Sequence, residues 1–205
     1  MHLSSLSLHG MTPKQEERIR TKISNIRKAL AAEKRRFGGY DDSRGLRYMP
    51  ASYFIQLADY KGGLAYLRWF GRNFPDDGGF PDFLFEWTII LFQCGKTKEA
   101  GRKAFETFCA NAYLFDKFFD RPVMPIDKWH SSNVDIPEFT DQLTYSAKQP
   151  ELAAFSVWLN DLIETADFRN RCDQYIEIYK RLGTEDDREA RRALLMEARQ
   201  LIESA

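Results

Sequence analysis

NFPDDGGFPDFLFEW, residues Asn73–Trp87, decides how the rest of the chain is read. Asp76, Asp77 and Asp82 offer the oxygen donors of a cation-binding loop. Pro75, Gly78, Gly79 and Pro81 are instead the punctuation with which one helix stops and the next begins. A calcium loop needs ligands at alternating positions and a distal bidentate glutamate. The run DDGGFPD lacks that alternation, although Glu86 lies one turn beyond Asp82. The inter-helix turn is the better reading, with aspartates at a helix N-terminus, where negative charge is favoured. No metal site and no cofactor are expected.

Working outward, every long segment reads as helix. Upstream, GGLAYLRWFGRNF ends at Pro75, and PASYFIQLAD opens at Pro50. Downstream, Pro81 starts PDFLFEWTIILFQC, Gly95 breaks it, and KTKEAGRKAFETFCAN follows with Ala100, Ala104, Phe105 and Phe108 on one face. Thr12 and Gln15 have capping-box spacing around Pro13, and Ile19, Ile23, Ile26 and Leu30 form the stripe of a first helix that should stop at Gly38 or Gly39. PELAAFSVWLNDLIE from Pro150, FRNRCDQYIEIYKRL stopped by Gly183, and a last helix capped by Thr184 with Asp187 complete the chain. Period-two alternation is nowhere convincing, so the expected class is all-α.

The domain plan is a disordered extension over 1–11 and one all-α domain over 12–205. Within it, 12–39 is a basic helix, 44–119 the central hairpins, 120–149 an irregular loop and 150–205 the C-terminal helices. With 30 basic and 30 acidic residues the net charge is zero, which argues against a dedicated nucleic-acid or membrane-surface protein. Apolar runs fall short of the roughly 18–20 residues a membrane span needs. Cys94, Cys109 and Cys172 are isolated and odd in number, which suits a reducing compartment. A cytoplasmic location is therefore expected.

LADYKGGLAYLRWFGRNFP aligns with FQCGKTKEAGRKAFETFCANA at an offset of 37 residues, setting Ala58 against Gly95, Gly63 against Ala100 and Pro75 against Ala112. Two helix–turn–helix units with small residues at their close approaches resemble the tetratricopeptide repeat, whose unit is about 34 residues. The likeness covers 44–114, with Ala51 and Thr88 at the small packing positions. It departs from the family at Arg47 and Leu84, where tryptophan is usual, and at Thr107, where alanine is usual. The resemblance implies antiparallel helical hairpins stacked as a right-handed superhelix with extra flanking helices. It also implies a concave groove for a peptide or partner protein. Asp82, Phe85, Glu86, Ile89 and Phe92 then line that groove. They are acidic or apolar, so the family's carboxylate-binding mode is not implied.

Other candidates are weighed beside that groove. Asp41, Asp42, Arg44, Arg47 and Tyr48 form either a salt-bridged linker or a polar cluster at the groove mouth. Between Lys14 and Arg36 lie nine basic and three acidic residues, either a solvated face or a patch for an acidic partner or RNA. Trp129 and His130 sit in the irregular loop. An enzyme would need His130 to meet carboxylates such as Asp120 and Asp127. No catalytic residue is assigned.

Overall fold

The structure is a computed structural model that describes residues 11–40 and 42–205. The expected extension over 1–11 falls almost wholly outside the described residues, as does Asp41. The chain is all-α, and no strand occurs among the described residues.

Helix α1 (Pro13–Phe37) begins and ends where local chemistry dictates. The Thr12 hydroxyl accepts from the Gln15 N–H at 3.3 Å, and the Gln15 side chain accepts from the Thr12 N–H at 2.7 Å. Gly38 closes the helix in the left-handed region (φ 73°), with its N–H on the Lys34 carbonyl. Ile23, Ile26 and Leu30 bury one stripe. The rest of the helix is largely exposed.

Helices α2 (Met49–Gln56) and α3 (Tyr60–Asn73) form one hairpin, and α4 (Pro81–Gln93) and α5 (Thr97–Ala110) a second. Asp59 starts α3 earlier than glycine punctuation suggests, because its carboxylate caps the Gly62 N–H at 3.0 Å. The seams depend on small residues. A Cβ at Gly63 would lie 3.0 Å from Ile90 Cδ1 and 3.1 Å from Phe54 Cβ, so α2, α3 and α4 meet there only because that atom is missing. Between α4 and α5, the fully buried Thr88 and Thr107 face each other with hydroxyls 3.4 Å apart. Each hydroxyl also donates to a carbonyl of its own helix, Leu84 and Lys103 respectively. A short α6 (Leu114–Phe118) follows.

The C-terminal part is α7 (Ala153–Ile163), α8 (Ala166–Thr184) and α9 (Arg188–Glu203). Pro150 opens a 3₁₀ turn over Pro150–Leu152, and the α-helix begins only after it. Gly183 does not stop α8, which runs through it to Thr184. Asp187 alone caps α9, accepting from the Ala190 N–H at 2.8 Å, while the Thr184 hydroxyl turns back to the Arg181 carbonyl. Arg191 ties the turn down by donating to the Leu182 and Glu185 carbonyls at 2.6 and 2.7 Å.

Segment 120–149 is a strap held at buried points. Asn111 donates to the Val134 and Ile136 carbonyls at 2.8 and 3.0 Å. The Trp129 N–H reaches the Tyr179 carbonyl, and the Ala147 N–H reaches that of Phe118. Lys128 and Asp135, both buried, pair at 2.7 Å. An ion pair this deep holds only when both partners are present, since either charge alone would be stranded.

Candidate functional site

Four regions carry the candidate chemistry, and the face of α4 comes first. The five residues expected to line a groove divide into two sets. Phe85 and Ile89 have no exposed surface. The Phe85 ring packs on Phe118 (centroids 5.0 Å apart), Phe155 (5.6 Å) and Tyr145 (6.0 Å). Phe92 is covered by Trp158 (4.9 Å) and Phe155 (5.6 Å). As an open groove these three positions are corrected: Phe85 and Ile89 are core, and Phe92 is half-buried against α7.

Asp82 and Glu86 stay at an opening. With Met49, Phe80 and Phe139 they border a cavity of about 370 Å³ between α2, α4 and the strap. Met49 and Phe80 are exposed at its rim. Beyond Tyr145, along the same α2/α4 seam, lies a second cavity of about 980 Å³, bordered by Gln56, Tyr60 and Gln93. Tyr145 borders this second cavity, and its hydroxyl donates to Glu86 Oε1 of the first at 2.8 Å. Burial pushes the Glu86 carboxyl up to about 8; the Tyr145 hydrogen bond opposes this, and the nearby Asp82 charge adds to it. Burial also raises Asp82, against a backbone hydrogen bond from Phe83. The Tyr145 phenol rises through burial and then through Glu86.

The linker cluster is a clasp. Arg47 Nε donates to Asp77 at 2.7 Å, its Nη1 to Asp42 at 3.2 Å and its Nη2 to the Tyr48 hydroxyl at 2.8 Å. Tyr48 donates onward to Asp77 at 2.7 Å. Asp42 also accepts from the Leu46 and Arg47 N–H groups. Burial works to raise Asp77, but hydrogen bonds from Tyr48, Arg47 and the Gly79 N–H outweigh it and hold the carboxyl below its usual value. Burial first, then Asp77, pushes Tyr48 up to about 12. These side chains spend their polar capacity on one another, which makes the cluster a joint between the segment before α2 and the α3–α4 turn. Arg44 is exposed and outside the network.

His130 meets no carboxylate from the expected set. Its Nε2 lies 2.9 Å from the Tyr113 hydroxyl, which also accepts from the Ile126 N–H. Asp120 pairs with Lys148, and Asp127 with Lys180 at 2.9 Å. Trp129 stacks on Tyr179 at 6.1 Å, with the Arg191 guanidinium over its ring at 5.1 Å. The acid–base arrangement that an enzyme around His130 requires is therefore not assembled, and both loop residues serve as anchors. The cysteine thiols, pushed up chiefly by burial, are not reactive thiolates. Among the described residues, no group of three metal-ligating side chains occurs.

The basic helix presents the fourth region. One side of α1 and Phe54 of α2 enclose a furrow of about 490 Å³. It adjoins a second hollow of about 340 Å³, which reaches Tyr40 and Trp69.

Tyr145, the Lys128–Asp135 pair and Phe54 had not been singled out from the sequence. The first three lie in the aperiodic strap, where no spacing signals a partner. Phe54 reads as one more apolar residue of α2.

No protein-family model, curated protein or solved structure matches the chain. Its likeness to the tetratricopeptide repeat rests on its own residues.

Proposed function

We propose that the chain is a protein-interaction module of tetratricopeptide-like build. In this reading the α2/α3 and α4/α5 hairpins stack as the start of a right-handed superhelix, and the flanking helices seal its ends. The ligand is an extended peptide that runs along the α2/α4 seam and sets a lysine or arginine side chain over Asp82 and Glu86. One observation carries this reading: Tyr145 of the chain's own strap hydrogen-bonds Glu86 at that seam, Tyr145 bordering one cavity and Glu86 the other. Apolar rims at Met49 and Phe80 suit the stem of a long basic side chain, and the carboxylates suit its head. A cation there favours the ionised form of Glu86, so binding strengthens as pH rises toward about 8. In this reading the module works in the reducing cytoplasm, which the free thiols of Cys94, Cys109 and Cys172 suit.

The test is fluorescence anisotropy of the full chain with labelled peptides that carry one lysine among apolar residues, against twins with norleucine there. The lysine peptides should bind more tightly, and Asp82→Asn or Phe80→Ser should remove about tenfold or more in affinity. Equal binding of both peptide sets, or variants that bind as wild type does, would refute the seam as the ligand's seat.

A further inference from the structure

A second surface, independent of the α2/α4 seam, lies along α1. Helix α1 contributes two lines of side chains at helical spacing. One, Ile23–Ile26–Leu30, is buried. Beside it run Arg20, Arg27, Lys28 and Arg35, which edge the furrow floored by Ile23, Ala31 and Phe54. Arg27, Ala31 and Arg35 also border the second hollow, so the two hollows form one trough. From Arg20 to Arg35 a helix rises about 22 Å, enough for four turns of a partner helix.

The charges in this trough are not consumed internally. Arg27, Lys28 and Arg35 make no ion pair among the described residues. Arg20 reaches Asp59 at 3.5 Å, at one end. Lys34 bonds the neutral Asn73 amide oxygen at 3.1 Å. Ser24 and Ala31, the small residues between the cations, leave room for side chains from outside. Arginines about two turns apart on an apolar floor match a helix with carboxylates at heptad spacing beside an apolar stripe.

The alternative polyanion, single-stranded RNA, gains much of its affinity by stacking bases on open aromatic faces. The rings at this trough are already engaged. Trp69 packs against Tyr40, Tyr66 and Phe74 at 5.7, 5.3 and 5.8 Å, and Lys34 sits over the Tyr40 ring at 5.1 Å.

We infer that the α1 trough docks an acidic amphipathic helix of a partner protein, with carboxylates on Arg27, Lys28 and Arg35 and an apolar side chain on Ala31 and Phe54. Fluorescence anisotropy of the full chain tests it. The probe is a labelled synthetic helix of about 20 residues with glutamates at heptad spacing beside leucines. A twin with glutamines and an oligouridine of similar length complete the panel, at about 0.15 M ionic strength.

The glutamate peptide should bind at least about tenfold more tightly than its twin, and Arg27→Glu with Arg35→Glu should cost about tenfold or more. Arg18→Glu with Lys22→Glu makes the same charge change outside the trough and should cost less than about twofold. Ala31→Trp fills the trough without altering charge and should abolish binding. All five positions are exposed, so circular dichroism should show every variant folded. Equal losses from the two reversal pairs, unaffected binding by Ala31→Trp, or no binding of the glutamate peptide would overturn the inference. Tighter binding of oligouridine than of the peptide would do the same and would hand the trough to nucleic acid.

Discussion

Replacing Glu86 by glutamine should make the protein more stable at neutral pH and leave it nearly unchanged in mild acid. The side chain is buried, and burial raises its carboxyl from 4.5 to about 8. Below about 4.5 the carboxyl is protonated in both folded and unfolded chains, and the native state loses nothing. Between 4.5 and 8 the unfolded chain releases the proton and the folded chain keeps it, so stability falls as pH rises. At about 1.4 kcal/mol per pH unit, the loss at neutral pH is roughly 3 kcal/mol. Glutamine has nearly the same shape and does not ionise, and its amide oxygen can still accept from Tyr145. Urea unfolding followed by far-ultraviolet circular dichroism, for wild type and Glu86→Gln across this window, gives the difference directly. The two curves should meet near the acid end and diverge with pH, the variant above. Subtracting them removes the titration of groups remote from Glu86 and leaves that of Glu86 with its neighbours Asp82 and Tyr145. Parallel curves, or a variant weaker at every pH, would refute the desolvation argument.

Gly63→Ala should cost roughly 1–3 kcal/mol, because the new methyl would meet Ile90 and Phe54 at about 3 Å where three helices converge; a thermal melt reads this. Lys128→Met strands the Asp135 carboxylate in the interior and should cost about 3–5 kcal/mol, whereas Lys128→Met with Asp135→Leu should recover much of the loss. A double variant as weak as the single one would show that packing, not the pair, matters there. Arg47→Lys cannot span Asp77, Asp42 and Tyr48 together, and should cost about 1–2 kcal/mol in chemical denaturation with little change in helix content.

The helices were legible where their causes are local. The Thr12–Gln15 box, Pro13 and Gly38 bound α1, and Pro81 opens α4, because capping acts within a turn or two of chain. The Asn73–Trp87 stretch is the inter-helix turn it was read to be, but the part of Asp77 is not visible in its own neighbourhood. That carboxylate reaches back to Arg47 and Tyr48, thirty and twenty-nine positions upstream. Gly183 failed as a stop signal because it keeps a negative φ inside α8, which ends one residue later at Thr184. The expectation that Phe85, Ile89 and Phe92 face an open groove failed for a reason the sequence did contain. PDFLFEWTIILFQ is apolar nearly all round, and a helix of that kind is covered over most of its surface. A helix lining an open groove would keep one polar face. The covering segments stayed out of view because the link from Tyr145 to Glu86 spans 59 residues with no periodic signal between them.

The seal over α4 also sets an order of events. The α2/α3 and α4/α5 hairpins are made of near-neighbour contacts and can form as soon as they are synthesised. Phe85 and Phe92 must wait for Tyr145, Phe155 and Trp158. At about 5–20 residues per second, a growing chain leaves that aromatic face uncovered for several seconds. During this interval that face of α4 is open to aggregation and to chaperone capture, and truncation before Phe155 would make the exposure permanent.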